Sequence, residues 1–292
     1  MNLNIELVPG TSIEEGPGGL PVLVVATPAA NARIFLHGAQ LTHWQPTGAE
    51  PVIWMSGKSL YQEGKAIRGG VPVCFPWFGP REGQQAHGFV RNKSWELSEL
   101  TRYDNGEVRA VFTTTSDAET LTQWAHAFVA RLAYTVGPTL KMSLEVENTS
   151  DAPFTFSEAL HTYFAVGAAQ QAFVTGLDGA QYRDYPDRSV LVQQTGPIHF
   201  TEETDRVYVN TQTTCVLEDP VMARRIIVEK HGSDTTTVWN PWIAKAKAMA
   251  DFGDEEWPEM VCIETVNSAE NSVTLAPGAK HAMTAHITVE AR

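Results

Sequence analysis

Residues 140–148, LKMSLEVEN, alternate without a break. Leu140, Met142, Leu144 and Val146 are apolar, while Lys141, Ser143, Glu145 and Glu147 are polar. Successive side chains of an extended chain point to opposite faces, so this period of two predicts a strand buried on one side. VRAVFTTTS, HAFVARLAYTV, RIIVEK, VCIETVN and HAMTAHITVEAR are likewise rich in β-branched and aromatic residues. Turn formers bound them, such as DNG at 104–106, GP at 137–138 and APG at 276–278. Helical pattern is scarce. DAETLTQW (117–124) predicts one short helix opening at Asp117, and WIAKAKAMADF (242–252) a second. Regularly spaced strands without alternating helices imply an all-β fold, a large antiparallel β-sandwich with one or two short helices. No repeat, low-complexity tract or composition break marks a linker, so residues 1–292 are expected to form a single domain.

Composition narrows the partners. Hydrophobic residues at 43% and charged residues at 19% suit a globular protein with a sizeable core. The 34 acidic residues outnumber the 21 basic ones, giving a formal charge of −13. Such a surface repels nucleic acid and anionic lipid, so neither is an expected partner. An anionic small molecule could bind only where arginines are locally concentrated. Cys74, Cys215 and Cys262 are far apart and odd in number, with no disulfide framework or metal-ligand spacing, which fits a reducing cytoplasm. MNLNIELVPG lacks the basic and apolar segments of a secretory signal. No uncharged apolar run approaches the ~18 residues of a membrane span.

Five segments carry candidate chemistry. AIRGGVPVCFPWFGP (66–80) places Arg68 alone in an apolar Gly/Pro-rich loop, where a guanidinium is costly unless an anion or a carboxylate meets it. AHGFVRNKSWEL (86–97), if extended, sets His87, Phe89 and Arg91 on one face, and His87 with the two arginines would suit a phosphate or sugar hydroxyls. FTFSEALHTYF (154–164), read as a strand, puts Ser157, Ala159, His161 and Tyr163 on one face and Phe154, Phe156, Glu158 and Leu160 on the other. A lone histidine in such a strand is more often a satisfied core residue than a catalyst. EMVCIETVN (259–267) offers it a partner, since Glu264 lies among apolar neighbours on a face with Met260, Cys262 and Val266. A carboxylate there either pairs with a cation or has a pKa suited to proton transfer. TEETDRVYVN (201–210) adds Asp205, and TVWNPWIAKAKAM (237–249) adds Trp239 and Trp242, which suit a sugar's apolar face or an ordinary core.

Nucleotide-binding glycine loops, the serine-hydrolase elbow and the H-E-x-x-H zinc motif are absent. His37 and His43 have no acidic or cysteine partner in spacing, a weak metal signal. Proton-transfer chemistry without cofactor or metal remains, or no chemistry at all.

Taken in order, IRGGVPVCFPWFG, HGFVR, SEALHTYF, ETDRVY, VWNPW and MVCIETVN resemble the hexose-6-phosphate mutarotases, the glucose-6-phosphate 1-epimerases related to galactose mutarotase. The resemblance spans roughly residues 30–290 and keeps the motif order. It implies a β-sandwich with its site on a concave sheet face. It also implies His161 as general acid and Glu264 as general base. Arg68 and Arg91 would hold phosphate or sugar, Asp205 would bind sugar, and His87 would line the site. Ala86 departs from the Gln that some members carry before this histidine. The implied reaction interconverts α and β anomers of a hexose 6-phosphate. A base takes the anomeric hydroxyl proton while an acid protonates the ring oxygen, and the open aldehyde turns and recloses. Glu264 is then expected ionised and His161 protonated, each favoured by the other's charge. A monomer acting on a small sugar phosphate is the expectation. The rival readings are a non-catalytic carbohydrate-binding protein on the same sandwich and, third, a glycoside hydrolase using Glu264 with Asp205 or Glu158.

Overall fold

The computed structural model describes residues 5–185 and 187–292. In it the alternation at 140–148 forms the strand Leu140–Asn148, with Leu140, Met142, Leu144 and Val146 fully buried. Its antiparallel neighbours are Phe128–Val136 on one side and Lys280–Ala291 on the other. These belong to a nine-stranded sheet that also takes in Val108–Thr115, Glu96–Arg102 and Arg224–His231. An eight-stranded sheet faces it. Its central order runs Gln181–Asp184, Thr204–Val209, Thr235–Asn240, Met260–Asn267, Glu158–Leu160 and Val73–Cys74, every pairing antiparallel. A four-stranded sheet of residues between Thr11 and Pro46 packs beside them.

One apolar core joins the three, running from Leu23 through Leu132 and Leu144 to Val261, Ile263 and Ile287. Arg224 stitches the two large sheets where side chains cannot reach. From the nine-stranded sheet its two terminal nitrogens donate to the carbonyls of Glu50, Pro51 and Ala165, while Nε is buried without a hydrogen-bond partner. Both expected helices form. Ala118–Gln123 opens at Asp117, whose side chain accepts from the Thr120 amide at 2.8 Å while the Thr120 hydroxyl accepts from the Asp117 amide. Trp242–Ala248 is the second.

Two local expectations differ. Residues 154–164 are not one strand but three short ones, Phe154–Phe156, Glu158–Leu160 and Tyr163–Ala165. The first pairs with Val273–Leu275, and the other two with Met260–Asn267. Residues 87–91 are not extended. His87 has φ 65°, and Val90–Asn92 form a 3-10 turn that sends Phe89 into the core while His87 and Arg91 face the other way.

Candidate active site

Met260–Asn267 is buried along both faces, which is why it reads as a near-continuous apolar run with one carboxylate. Val261 and Ile263 enter the main core, whereas Cys262 and Glu264 point to the opposite side. The register then assembles a lattice. Glu158 pairs with Asn267, Leu160 with Thr265 and Tyr163 with Cys262, a constant offset that sets His161 directly across from Glu264. On its other side Glu264 pairs with Thr237, Thr237 with Val207, and Val207 with Arg183. The next row on the same face is Tyr163, Cys262, Trp239 and Asp205. Directly opposed side chains on one sheet face are in contact.

These rows, except the fully buried Cys262, floor a cavity of about 930 Å³. Its walls include Arg68, His87, Arg91, Tyr185, Arg188 and Lys245. All seven residues singled out as site candidates, Arg68, His87, Arg91, His161, Asp205, Trp239 and Glu264, line this one space. Glu158 does not. It lies on the other face, accepting from Asn267 at 3.0 Å and meeting His281 at 3.2 Å, a buried structural cluster that removes it as a catalytic carboxylate.

His161 Nε2 stands 3.4 Å from Glu264 Oε1. The ring is held by stacking on Tyr163, centroids 4.8 Å apart at 10°, with Trp239 edge-on at 6.0 Å. The site works against the expected ion pair. Burial, then the neighbouring His87 and the charges of Arg68 and Arg91, holds the imidazole well below its ordinary value. Burial, then Asp205, pushes the Glu264 carboxyl well above its own. Both directions favour the neutral forms. Carboxyl with imidazole and carboxylate with imidazolium hold the same number of protons, so the two forms differ only in where one proton sits.

His87 is driven down to about 3 by burial and by Arg91, Arg68 and Arg188, so it stays neutral. Its Nδ1 accepts from the Gly79 amide at 3.4 Å, which leaves the proton on Nε2 as a donor. Gly88 at φ +70° makes the turn that presents this ring, and a Cβ there would meet the Phe75 carbonyl oxygen at 1.9 Å.

The two arginines are not equivalent. Arg68 donates to the Tyr163 hydroxyl at 3.0 Å and pairs with Asp251 at 3.1 Å. Arg91 is half-buried, donates to the Ala86 carbonyl at 2.8 Å, leaves Nε without a partner as Arg68 does, and meets no carboxylate among the described residues. Asp205 pairs with Arg188 at 2.6 Å, so any sugar hydroxyl reaching it shares or displaces that guanidinium.

Sequence reasoning missed Arg188, Thr237 and Tyr163 as wall and floor residues. Tyr163 was legible from parity with His161, and Thr237 only from register. Its hydroxyl is buried without a partner beside Glu264. Trp242 instead packs on Trp257, with ring centroids 4.1 Å apart.

An all-antiparallel sandwich carrying an acid–base pair and arginines on one sheet face describes a class of sugar-modifying proteins. A family model described as aldose 1-epimerase matches residues 21–288, and the chain belongs to that family. It is 38% identical over 253 residues, 86% of this chain and 84% of the relative, to an Escherichia coli protein provisionally named glucose-6-phosphate 1-epimerase. A Cenchrus ciliaris protein with the same provisional name is 34% identical over 281 residues, covering 92% of this chain and 85% of the relative. The crystal structure of YeaD from Salmonella typhimurium, provisionally titled a mutarotase, superposes with a TM-score of 0.91 at 33% identity, covering 100% of this chain and 97% of that one.

Proposed function

We propose that the protein is a hexose-6-phosphate 1-epimerase that interconverts the α and β anomers of glucose 6-phosphate. The observation that carries the reading is the His161–Glu264 pair, 3.4 Å apart and open to the cavity. Opening a cyclic hemiacetal needs one group that accepts the anomeric hydroxyl proton and one that donates to the ring oxygen. Reclosure on the other carbonyl face exchanges the roles. Glu264 acts as base and His161 as acid in one direction. An imidazole and a carboxyl 3.4 Å apart, each able to give or take a proton, serve both directions.

The phosphate is assigned to Arg91, with Arg68 supporting it. A half-buried guanidinium without a carboxylate partner, in a chain of net charge −13, is a charge that an anionic ligand would compensate. Phosphate at Arg91 would also offset one of the charges that depress His161, moving the shared proton toward the imidazole and so toward its role as acid. His87 Nε2–H, Asp205 and the Trp239 ring are assigned to the sugar. The continuous core from Leu23 to Ile287 supports one catalytic domain.

The test is two-dimensional exchange NMR between α and β glucose 6-phosphate with a trace of protein, repeated with free glucose. Faster exchange of the phosphate alone is expected. Equal acceleration of both sugars would keep the acid–base pair and cancel the phosphate assignment, and no acceleration by folded protein would end the proposal.

A further inference from the structure

Cys262 has no part in anomer exchange, yet it sits between Tyr163 and Trp239 in the lattice and two residues from Glu264 on the same face. One donor atom each from His161, Cys262 and Glu264 lies within 4.8 Å of the others. His161 Nε2 faces Glu264 Oε1 at 3.4 Å, and Glu264 Oε2 is buried and has no hydrogen-bond partner. A buried polar atom without a partner is costly, and here it adjoins a cavity that small solutes can enter. We propose that His161, Cys262 and Glu264 form a binding site for a borderline-soft divalent cation of the zinc type, whose occupancy stops the proton transfer. The inhibitory part rests on the acid–base reading above.

The donor set selects the ion. Nitrogen, sulfur and oxygen from three side chains, with a further position open to the cavity, is the pattern that suits Zn²⁺, whereas Mg²⁺ and Ca²⁺ require oxygen ligands. Zinc bonds of about 2.0–2.3 Å require the three atoms to draw in to roughly 3.5 Å apart, so occupancy must shift these side chains from their present positions. Charge balance also permits it. A thiol, a neutral imidazole and a protonated carboxyl carry no net charge. Zn²⁺ with a thiolate, an imidazole and a carboxylate carries none either, the thiol and carboxyl protons leaving to solvent. Ligation then removes both the proton and the proton acceptor that ring opening needs.

The test uses the full chain in chelator-treated buffer, titrated with Co²⁺ as a spectroscopic probe and then with Zn²⁺ in competition. A thiolate-to-cobalt charge-transfer band saturating at one equivalent is expected. In Cys262→Ser and Cys262→Ala, both checked for folding by circular dichroism, the band should vanish and Zn²⁺ should bind at least ~10-fold weaker. Cys74→Ser and Cys215→Ser should keep the band. Absence of the band in the wild-type chain, or Zn²⁺ affinity unchanged in Cys262→Ser, overturns the site. Mutarotation measured in the same metal-free buffer separates the two proposals: activity without a band removes only the metal site, and a band without activity removes only the catalytic reading.

Discussion

Replacing Glu264 by glutamine tests both the chemistry and the resting place of the shared proton. The side chain keeps its volume in a site where it is 1% exposed, so no cavity opens. An amide cannot exchange a proton with the anomeric hydroxyl. Loss of one positioned acid–base group costs about 10²–10⁴-fold in rate, or about 2.7–5.4 kcal/mol of barrier at ~1.36 kcal/mol per decade. Stability reports the rest. If the resting pair is neutral, as burial of both groups argues, one neutral polar group replaces another and the folding free energy should move by no more than ~1 kcal/mol. If the pair were carboxylate and imidazolium, removing one charge would strand the other, costing up to ~3–5 kcal/mol. Exchange NMR measures the first quantity and urea midpoints at constant m-value the second. A rate loss below ~10-fold would refute proton transfer by Glu264. A large destabilisation would refute the neutral pair while leaving the catalytic role standing.

Four further outcomes are expected. Arg91→Ala should weaken glucose 6-phosphate by about 10- to 100-fold, the worth of a charged hydrogen bond, and leave free glucose nearly unchanged; equal losses for both would remove the phosphate role. The rate profile with pH should be bell-shaped, its acid limb lying below 6.5 because burial lowers His161, and its alkaline limb above 4.5 because burial raises Glu264. An acid midpoint above 6.5, or a flat profile from about pH 4 to 10, contradicts the one-proton pair. Gly88→Ala should lose far more stability than the ~1–2 kcal/mol of left-handed backbone alone, since its Cβ would lie 1.9 Å from a carbonyl oxygen; urea unfolding like wild type would show that the turn can relax. The hydrogen bond to Glu158 raises His281 above its ordinary 6.5 against its burial, so the stabilisation is full below that value and fades as pH rises through the raised one. The stability gap between wild type and His281→Asn should therefore narrow from about pH 6 to about pH 9.

Alternation along the chain already tells which side chains share a strand face. Period two in LKMSLEVEN separates core from solvent, and the same parity puts Cys262 with Glu264 and His161 with Tyr163. Asp117 and the scarcity of helical pattern likewise specify the short helix Ala118–Gln123 and an all-β class. These are local properties, because alternation and capping depend only on neighbours along the chain. What lies across from what is not local. The register that sets His161 against Glu264 and Thr237 beside it is settled by pairing between separate strands, and a shift of one residue would turn each of them to the other face. The extended reading of HGFVR failed for the same reason: the close approach of Gly88 to the Phe75 carbonyl forces a turn that no spacing announces. Protonation was decided there too. A histidine and a glutamate of opposite charge suggest an ion pair, but two groups buried together lose the water that would sustain their charges, and burial shifts both toward their neutral forms.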